Sequence, residues 1–136
     1  PMEGVLMEEL AKAGYLTRGD PVIVQCFDRD SLQRMRSEHG CSFPLVLCLR
    51  KQPKEDDLEW AAENCEGVAP HRASIEDPLT GAATDLLARA RELGLSVFPY
   101  TFKDEVAAMR RFLHVHRVEG VFTDFPDKGV AARDKP

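Results

Sequence analysis

Three short stretches of this sequence place aromatic, amide and carboxylate side chains directly after an apolar run. They are Gln25-Cys26-Phe27-Asp28, Pro99-Tyr100-Thr101 and Gly120-Val121-Phe122-Thr123-Asp124-Phe125-Pro126-Asp127. An aromatic ring offers an apolar wall to a ligand, and a tyrosine hydroxyl adds a hydrogen-bond donor. We therefore predict a binding site for a partly apolar, partly polar molecule. Its candidate residues are Gln25, Phe27, Tyr100 and Asp124.

The carboxylates that follow the predicted strands are too few to hold a metal ion by themselves. Hard divalent cations take several oxygen ligands, commonly carboxylates, that converge on one point. Only Asp28 and Asp124 stand past strand ends. We therefore predict no metal ligand in this chain. Asp124 has the alternative role of bracing the turn that follows it.

The cysteines lack the short paired spacing of a zinc site. We interpret Cys26, Cys41, Cys48 and Cys65 as small buried or half-buried residues. One alternative is a disulfide between Cys41 and Cys65, if the protein is exported. Another is a nucleophilic Cys26, although no histidine in the sequence can be tied to it.

Two basic side chains near the strand ends, His71 and Arg72, each have two possible roles. His71 either faces the mouth of the site or is a solvated loop residue, and Arg72 either contacts phosphate or does not point inward. His114 and His116 stand two residues apart at a helix end, so their side chains point in different directions. They are not predicted to bind a metal.

Helical and strand patterns alternate along the whole sequence. These predicted helices and strands would position the candidate side chains. Helices are predicted over residues 2–13, from Asp28 or Asp30 to residue 39, and over 58–62, 84–93 and 103–114. Strands are predicted over residues 22–26, 45–49, 67–70, 95–100 and 118–123. This order calls for parallel strands joined by helical crossovers, and therefore for an α/β fold.

Two architectures satisfy this alternation: an open doubly wound sheet and a (β/α)8 barrel of the TIM type. No glycine-rich phosphate loop follows any predicted strand, so nucleotide binding by that device has no support. The polar and aromatic residues gather instead past the strand ends, where a barrel builds its site. The pattern favours the barrel.

The composition bounds the range of functions. The 136 residues carry a net charge of -5 with both signs interspersed, which argues against a general nucleic-acid binder. No apolar run approaches the roughly 18 residues of a membrane helix. With 43% hydrophobic residues the chain can form a core.

The three stretches together resemble the later barrel strands of the glycerophosphodiester phosphodiesterase family. There the strand ends read Cys-Phe-Asp, Tyr-Thr and Thr-Asp-x-Pro, and here the matching residues are Cys26-Phe27-Asp28, Tyr100-Thr101 and Thr123-Asp124-Phe125-Pro126. The resemblance covers about residues 22–128. Within the family, the three motifs are most similar to those of the bacterial periplasmic branch. It implies metal-dependent hydrolysis of a glycerophosphodiester to glycerol 3-phosphate and an alcohol.

The same resemblance places the family's chemistry on strands that this chain does not show. The first three strands of the family carry a His-Arg-Gly, a Glu-x-Asp, a second His and a Glu-x-Lys, and no such set follows the strands here. The five predicted strands then correspond to strands four to eight of one barrel domain. The resemblance thus implies that the calcium or magnesium ligands and the acid/base groups lie outside this segment, and that the segment alone is inactive.

An alternative function is a noncatalytic half-barrel that works as an interaction or binding module. Five parallel strands cannot close an eight-stranded barrel, so edge hydrogen-bonding groups would stay open to a second copy or a partner. The partner is then either a homodimer mate or an amino-terminal segment that is missing here. The resemblance leaves a periplasmic or secreted location open, and the residues themselves do not decide it.

Overall fold

The protein is described by a computed structural model covering residues 2–135. Helices and strands alternate along it, as the sequence predicts. In chain order they are α1 (Met2–Lys12), β1 (Val24–Cys26), α2 (Arg29–Ser37), β2 (Leu45–Cys48), α3 (Asp57–Asn64), β3 (Gly67–Ala69), α4 (Asp85–Glu92), β4 (Ser96–Val97), α5 (Val106–His114) and α6 (Pro126–Asp134). A short 3₁₀ turn, Arg72–Ser74, follows β3.

The described strands form one four-stranded sheet in the order β1-β2-β3-β4. All three pairings are parallel, with Val24 opposite Leu45, Val46 opposite Gly67, and Val68 opposite Val97. Each strand therefore pairs with the next strand along the chain, and a helix joins each pair. The predicted α/β class is confirmed.

The predicted fifth strand, residues 118–123, is wrong as a regular strand. The segment does run beside the end of β4, where the Phe122 amide donates to the Pro99 carbonyl at 2.9 Å and the Phe102 amide donates to the Phe122 carbonyl at 2.8 Å. Only an isolated parallel bridge between Phe102 and Thr123 results. Pro99 has no amide hydrogen to donate, so the ladder cannot continue through it.

Two helices at the carboxyl-terminal end also differ from the prediction. α5 begins at Val106 rather than at residue 103, and α6 occupies Pro126–Asp134, where no helix was predicted. α6 carries Pro126 in its first turn, where the missing amide hydrogen costs nothing. Among residues 2–135, no helix has both the length and the apolar content needed to cross a bilayer.

The core lies mainly between the sheet and its helices. This helix face of the sheet contains the buried side chains Leu45, Leu47 and Leu49, which pack with Val68 and Val97. The helices contribute Leu32, Met35, Ala61, Leu87, Ala90, Met109, Phe112 and Ala132 to the same cluster. Continuous burial along β2 matches its unbroken apolar sequence.

The other side of the sheet, which we call the cleft face, holds a smaller cluster. Val46, Cys48 and Ala69 are buried there, and Phe98 and Tyr100 cover them in part. A Cβ atom on Gly67 would lie 2.7 Å from the Ser96 carbonyl oxygen and 3.3 Å from the Phe98 ring. Glycine at this position is therefore what lets the chain and the Phe98 ring pack so closely.

A buried ionic group ties α5 to the loop after the 3₁₀ turn. The Glu76 carboxylate accepts two hydrogen bonds from Arg111, both of 2.7 Å, and lies 2.7 Å from His116 Nε2. Hydrogen bonding from Arg111, followed by His116, holds the pKa of Glu76 below its usual range although burial opposes this. Paired in this way, the carboxylate is accommodated in a buried position.

Candidate functional site

One cleft at the carboxyl ends of the strands brings together all four predicted site residues. It has a volume of about 260 Å³. Its lining residues are Gln25, Phe27, Cys48, Tyr100, Thr101, Phe122, Thr123 and Asp124. We call it the site cleft. Because parallel strands end at one edge of the sheet, residues far apart in sequence meet here.

Gln25 projects from the cleft face of β1. Strand alternation predicts that it points away from Val24, which is buried, and the structure has this arrangement. Cys48 on the adjacent strand donates its S–H to the Gln25 side-chain oxygen. This orients the amide so that its N–H groups remain available to a ligand.

Tyr100 forms the other wall of the site cleft. Its hydroxyl donates a 2.5 Å hydrogen bond to the Leu49 carbonyl, and its ring meets the Phe27 ring edge-on at 5.8 Å between centroids. Burial, followed by the nearby Cys48 thiol, raises the pKa of Tyr100, so the hydroxyl stays protonated at neutral pH. Because that proton is engaged with Leu49, Tyr100 offers a ligand its ring and an oxygen lone pair.

Asp124 lies at the open side of the site cleft, and a neighbouring residue takes the bracing role considered for it. The Thr123 hydroxyl oxygen accepts the Phe125 amide at 3.0 Å and donates to the Lys103 carbonyl at 3.1 Å. The first turn of α6 has no side-chain cap. The Asp124 side chain is exposed, so it can face a ligand without first giving up a cap.

A second cleft, missed by the sequence reasoning, adjoins the first and shares Phe27 and Cys48 with it. We call it the side cleft, and its volume is about 300 Å³. The β1–α2 connection contributes Asp28, and the first turn of α2 contributes Arg29 and Asp30. The opposite side consists of Leu47 from β2, of Arg50, Gln52 and Lys54 from the β2–α3 connection, and of Asp57 at the start of α3. The loop residues have no periodic pattern, so nothing in the sequence indicated that they share a cleft.

No set of described residues fits a divalent cation. Within residues 2–135, no cluster of three or more histidine, cysteine or acidic side chains can hold a metal. Glu55-Asp56-Asp57 has the letters of the family's Glu-x-Asp, but both aspartates are paired with Arg29. Asp28 and Asp124, the two acids singled out by sequence, line different clefts.

The cysteines are free thiols, so the alternative Cys41–Cys65 disulfide is not formed. Burial raises the pKa of Cys65 to about 12 and that of Cys48 to about 12. These two thiols therefore stay protonated and poorly nucleophilic at neutral pH. Cys26 is half-buried, and its sulfur accepts the Asp28 amide at 3.4 Å.

His71 and Arg72 lie beside the site cleft and outside its lining. His71 is half-buried with its ring edge-on to Tyr100 at 5.6 Å, and its Nδ1 accepts the Ala73 amide at 3.2 Å. Arg72 forms a 3.0 Å ion pair with Glu105. The phosphate contact considered for Arg72 thus competes with an existing partner.

The alternating order, the parallel sheet and a cleft at the strand ends define an α/β protein of the kind that binds ligands at the carboxyl edge of its sheet. The chain matches the model of the glycerophosphoryl diester phosphodiesterase family over residues 4–128. It therefore belongs to that family, as its strand-end motifs predict.

A solved structure shows the same fold in a longer protein. The protein comes from Silicibacter pomeroyi DSS-3, and its name describes a putative glycerophosphoryl diester phosphodiesterase. The match has a TM-score of 0.70 at 19% identity and covers 98% of the present chain. The chain spans 43% of the length of that protein. The four-stranded sheet is thus consistent with part of a TIM-barrel-like fold.

Proposed function

We propose that residues 1–136 are the carboxyl-terminal part of one barrel domain that hydrolyses glycerophosphodiesters to glycerol 3-phosphate and an alcohol. The observation that carries this proposal is the meeting of Gln25, Phe27, Tyr100 and Asp124 around the site cleft. Ligands of α/β barrels bind at this edge of the sheet. Membership of the phosphodiesterase family supports the substrate class.

The side chains of the site cleft are suited to binding and orienting a substrate. The edge-on rings of Phe27 and Tyr100 give an apolar wall for the carbon atoms of the glycerol or the alcohol. The Gln25 amide, oriented by Cys48, donates to an ester or hydroxyl oxygen. Asp124 accepts a hydrogen bond from a glycerol hydroxyl.

The chemistry itself needs groups beyond these side chains. A calcium or magnesium ion would stabilise the negative charge that develops on the phosphodiester oxygens. Since the described residues do not fit such an ion, we propose that its ligands come from a preceding part of a longer chain. The same part would supply the acid/base groups.

The first test assays the 136-residue chain for hydrolysis. We expect no release of glycerol 3-phosphate from glycerophosphocholine above a blank, with calcium or magnesium present. Hydrolysis at a rate comparable to an intact family member would show that the segment carries its own catalytic groups.

The second test asks what the protein is in its source. Intact mass and peptide mapping upstream of Pro1 should reveal a longer chain that contains His-Arg-Gly and Glu-x-Asp. In that protein, Phe27→Ala should raise KM for glycerophosphocholine, because the apolar wall is lost. Phe125→Ala removes an aromatic ring that is 43% exposed and outside both clefts, and it is the matched control. Equal effects of the two variants would argue against the site cleft.

The alternative proposal, a noncatalytic half-barrel that pairs with a second copy or a partner, has its own support. β1 pairs only with β2 among the described strands, and Ile23 beside it is 50% exposed. Phe122 is exposed at the opposite end of the sheet. Light scattering after size-exclusion chromatography would give a stable dimer in this case. A monomer with cooperative unfolding would contradict it.

A further inference from the structure

The side cleft is built from two neighbouring connections that carry opposite charges. The β1–α2 connection and the start of α2 bring Asp28 and Asp30, and the β2–α3 connection brings Arg50 and Lys54. Since β1 and β2 are adjacent parallel strands, these connections lie side by side at the same edge of the sheet. Arg29 and Asp57 also line the cleft but pair with each other, so the remaining charges are acidic on one side and basic on the other.

These four charged groups form no direct ion pair with one another or with the rest of the described residues. In contrast, Arg29, which lines the same cleft, is already held by Asp56 and Asp57. The Asp28 carboxylate caps α2 by accepting the Ser31 amide at 2.9 Å, which fixes its position but leaves its charge unpaired.

Arg50 is the best placed of these groups for recognising a ligand. Its guanidinium lies over the Phe27 ring at 5.9 Å from the centroid. Contact with an aromatic face stabilises a cation and restricts its orientation. The planar guanidinium then presents paired donors, which suit a carboxylate better than a single point charge does. Phe27 lines both clefts, so Arg50 lies directly beside the site cleft.

We propose that the side cleft binds the alcohol portion of the substrate and selects a zwitterionic head group of the serine type, which carries both an ammonium and a carboxylate. The ammonium faces Asp28 and Asp30, and the carboxylate faces Arg50 and Lys54. A choline or ethanolamine head group satisfies only the acidic side, and a glycerol head group satisfies neither. This inference rests on the proposed function for its substrate class, while its charge pattern comes from the side cleft itself.

Head-group binding can be measured without hydrolysis. The 136-residue protein is titrated calorimetrically with O-phospho-L-serine and with phosphoethanolamine, which differ by one carboxylate. Trp60, the single tryptophan of the chain, packs against Arg29 at 5.1 Å from the ring centroid, so its fluorescence reports on this cleft. We expect phosphoserine to bind about 1.5- to fivefold more tightly, the size of one exposed ion pair.

Two variants separate the two sides of the cleft. Arg50→Gln should abolish the preference for phosphoserine, whereas Lys12→Gln, on an exposed cation of α1, should keep it. Asp28→Asn keeps a good helix cap, so the fold should be preserved. It should weaken the binding of both ammonium ligands and leave that of glycerol 3-phosphate unchanged. Circular dichroism and thermal melting check that each variant is folded.

Equal affinities for phosphoserine and phosphoethanolamine, or no binding of phosphoserine, would overturn the inference. A different result would overturn the proposed function, so the two hypotheses can be tested separately. In the protein isolated from its source, equal hydrolysis of glycerophosphoserine and glycerophosphoglycerol would overturn the selective side cleft and leave the phosphodiesterase. A preference for phosphoserine with no hydrolysis of any diester would support the side cleft and overturn the enzyme.

Discussion

The two faces of the sheet are built from the same strands but differ in what covers them. The helix face is closed by the described helices and contains large aliphatic side chains such as Leu45 and Leu47. The hydrophobic cluster on the cleft face is smaller and consists of Val46, Cys48 and Ala69, which Phe98 and Tyr100 cover in part. This face carries Gln25 and Tyr100 and opens into the site cleft.

The difference shows that stability and ligand binding have separate places in this molecule. Burial of apolar surface favours folding in proportion to the area removed from water, and most of that area lies on the helix face. The cleft face keeps amide, thiol and phenol groups in contact with each other and with the opening. Substitutions on the two faces should therefore have different consequences, and four experiments test this.

The largest effect is expected from a truncation on the helix face. Leu45→Ala should lower the free energy of unfolding by about 2 to 5 kcal/mol, because the side chain is fully buried and its loss leaves a cavity. Urea denaturation measures this change. Val46→Ala, one residue along on the cleft face, is the comparison and should cost less. If Val46→Ala lowered the free energy of unfolding more than Leu45→Ala, stability would not depend mainly on the helix face.

A clash on the cleft face should have the next largest effect. Gly67→Ala places a methyl group 2.7 Å from the Ser96 carbonyl oxygen, so the chain must shift. We expect a loss of about 1 to 3 kcal/mol, as for other overpacked sites. Gly19→Ala is a control with open space, since its nearest neighbour lies at 3.8 Å. If Gly67→Ala melts at the wild-type temperature, the close packing around Phe98 is not a requirement.

The ionic group around Glu76 should give the helix layer a pH dependence. The pKa of Glu76 is lowered in the folded state from its ordinary value of 4.5, mainly by Arg111. Its contribution is therefore complete above about pH 4.5 and is lost as the pH falls through the lower folded value. Glu76→Gln should cost about 1 to 3 kcal/mol at pH 7, since hydrogen bonds to charged groups are lost. Unfolding curves at several pH values should converge for the two proteins in acid, and a constant difference would contradict this.

The smallest effect on stability is expected at the site cleft. Tyr100→Phe removes the hydrogen bond to the Leu49 carbonyl, which is worth about 1 kcal/mol. The ring contact with Phe27 is retained, so the apolar wall should survive. Thermal melting gives the cost, and a loss above 3 kcal/mol would mean that this hydroxyl belongs to the structural core. Tyr15→Phe, on an exposed tyrosine, controls for the loss of a phenol.

Much of the fold was predictable from local sequence signals. Of the two candidates for the start of α2, Asp28 and Asp30, Asp28 is the cap. Gly94 after α4 has a positive φ of 74°, the conformation expected of a helix-ending glycine. The prediction of a fifth strand was wrong because Pro99 interrupts the segment with which residues 118–123 pair. The sequence pattern within residues 118–123 does not reveal this interruption. The helix α6 was missed because Pro126 and Gly129 resemble a turn when read alone.

The site was predictable only where strand ends determine it. Gln25 and Tyr100 were expected to meet because parallel strands end together, and they line one cleft. The side cleft was not predicted, because the positions of Arg50 and Lys54 depend on the path of a loop without periodicity. The bracing role went to Thr123 rather than Asp124, since a hydroxyl can both donate and accept within one turn.

The strand order β1-β2-β3-β4 also has a consequence for how the chain folds during synthesis. Paired residues are only roughly 20 to 30 positions apart along the chain, a short separation for a parallel sheet. When β2, β3 or β4 is synthesised, the preceding strand with which it pairs has therefore already been made. Domains generally fold from the amino end as synthesis proceeds. We expect the sheet to grow by one strand and one helix at a time. A nascent chain stalled after β3 should then already protect the amides of β2 from hydrogen exchange.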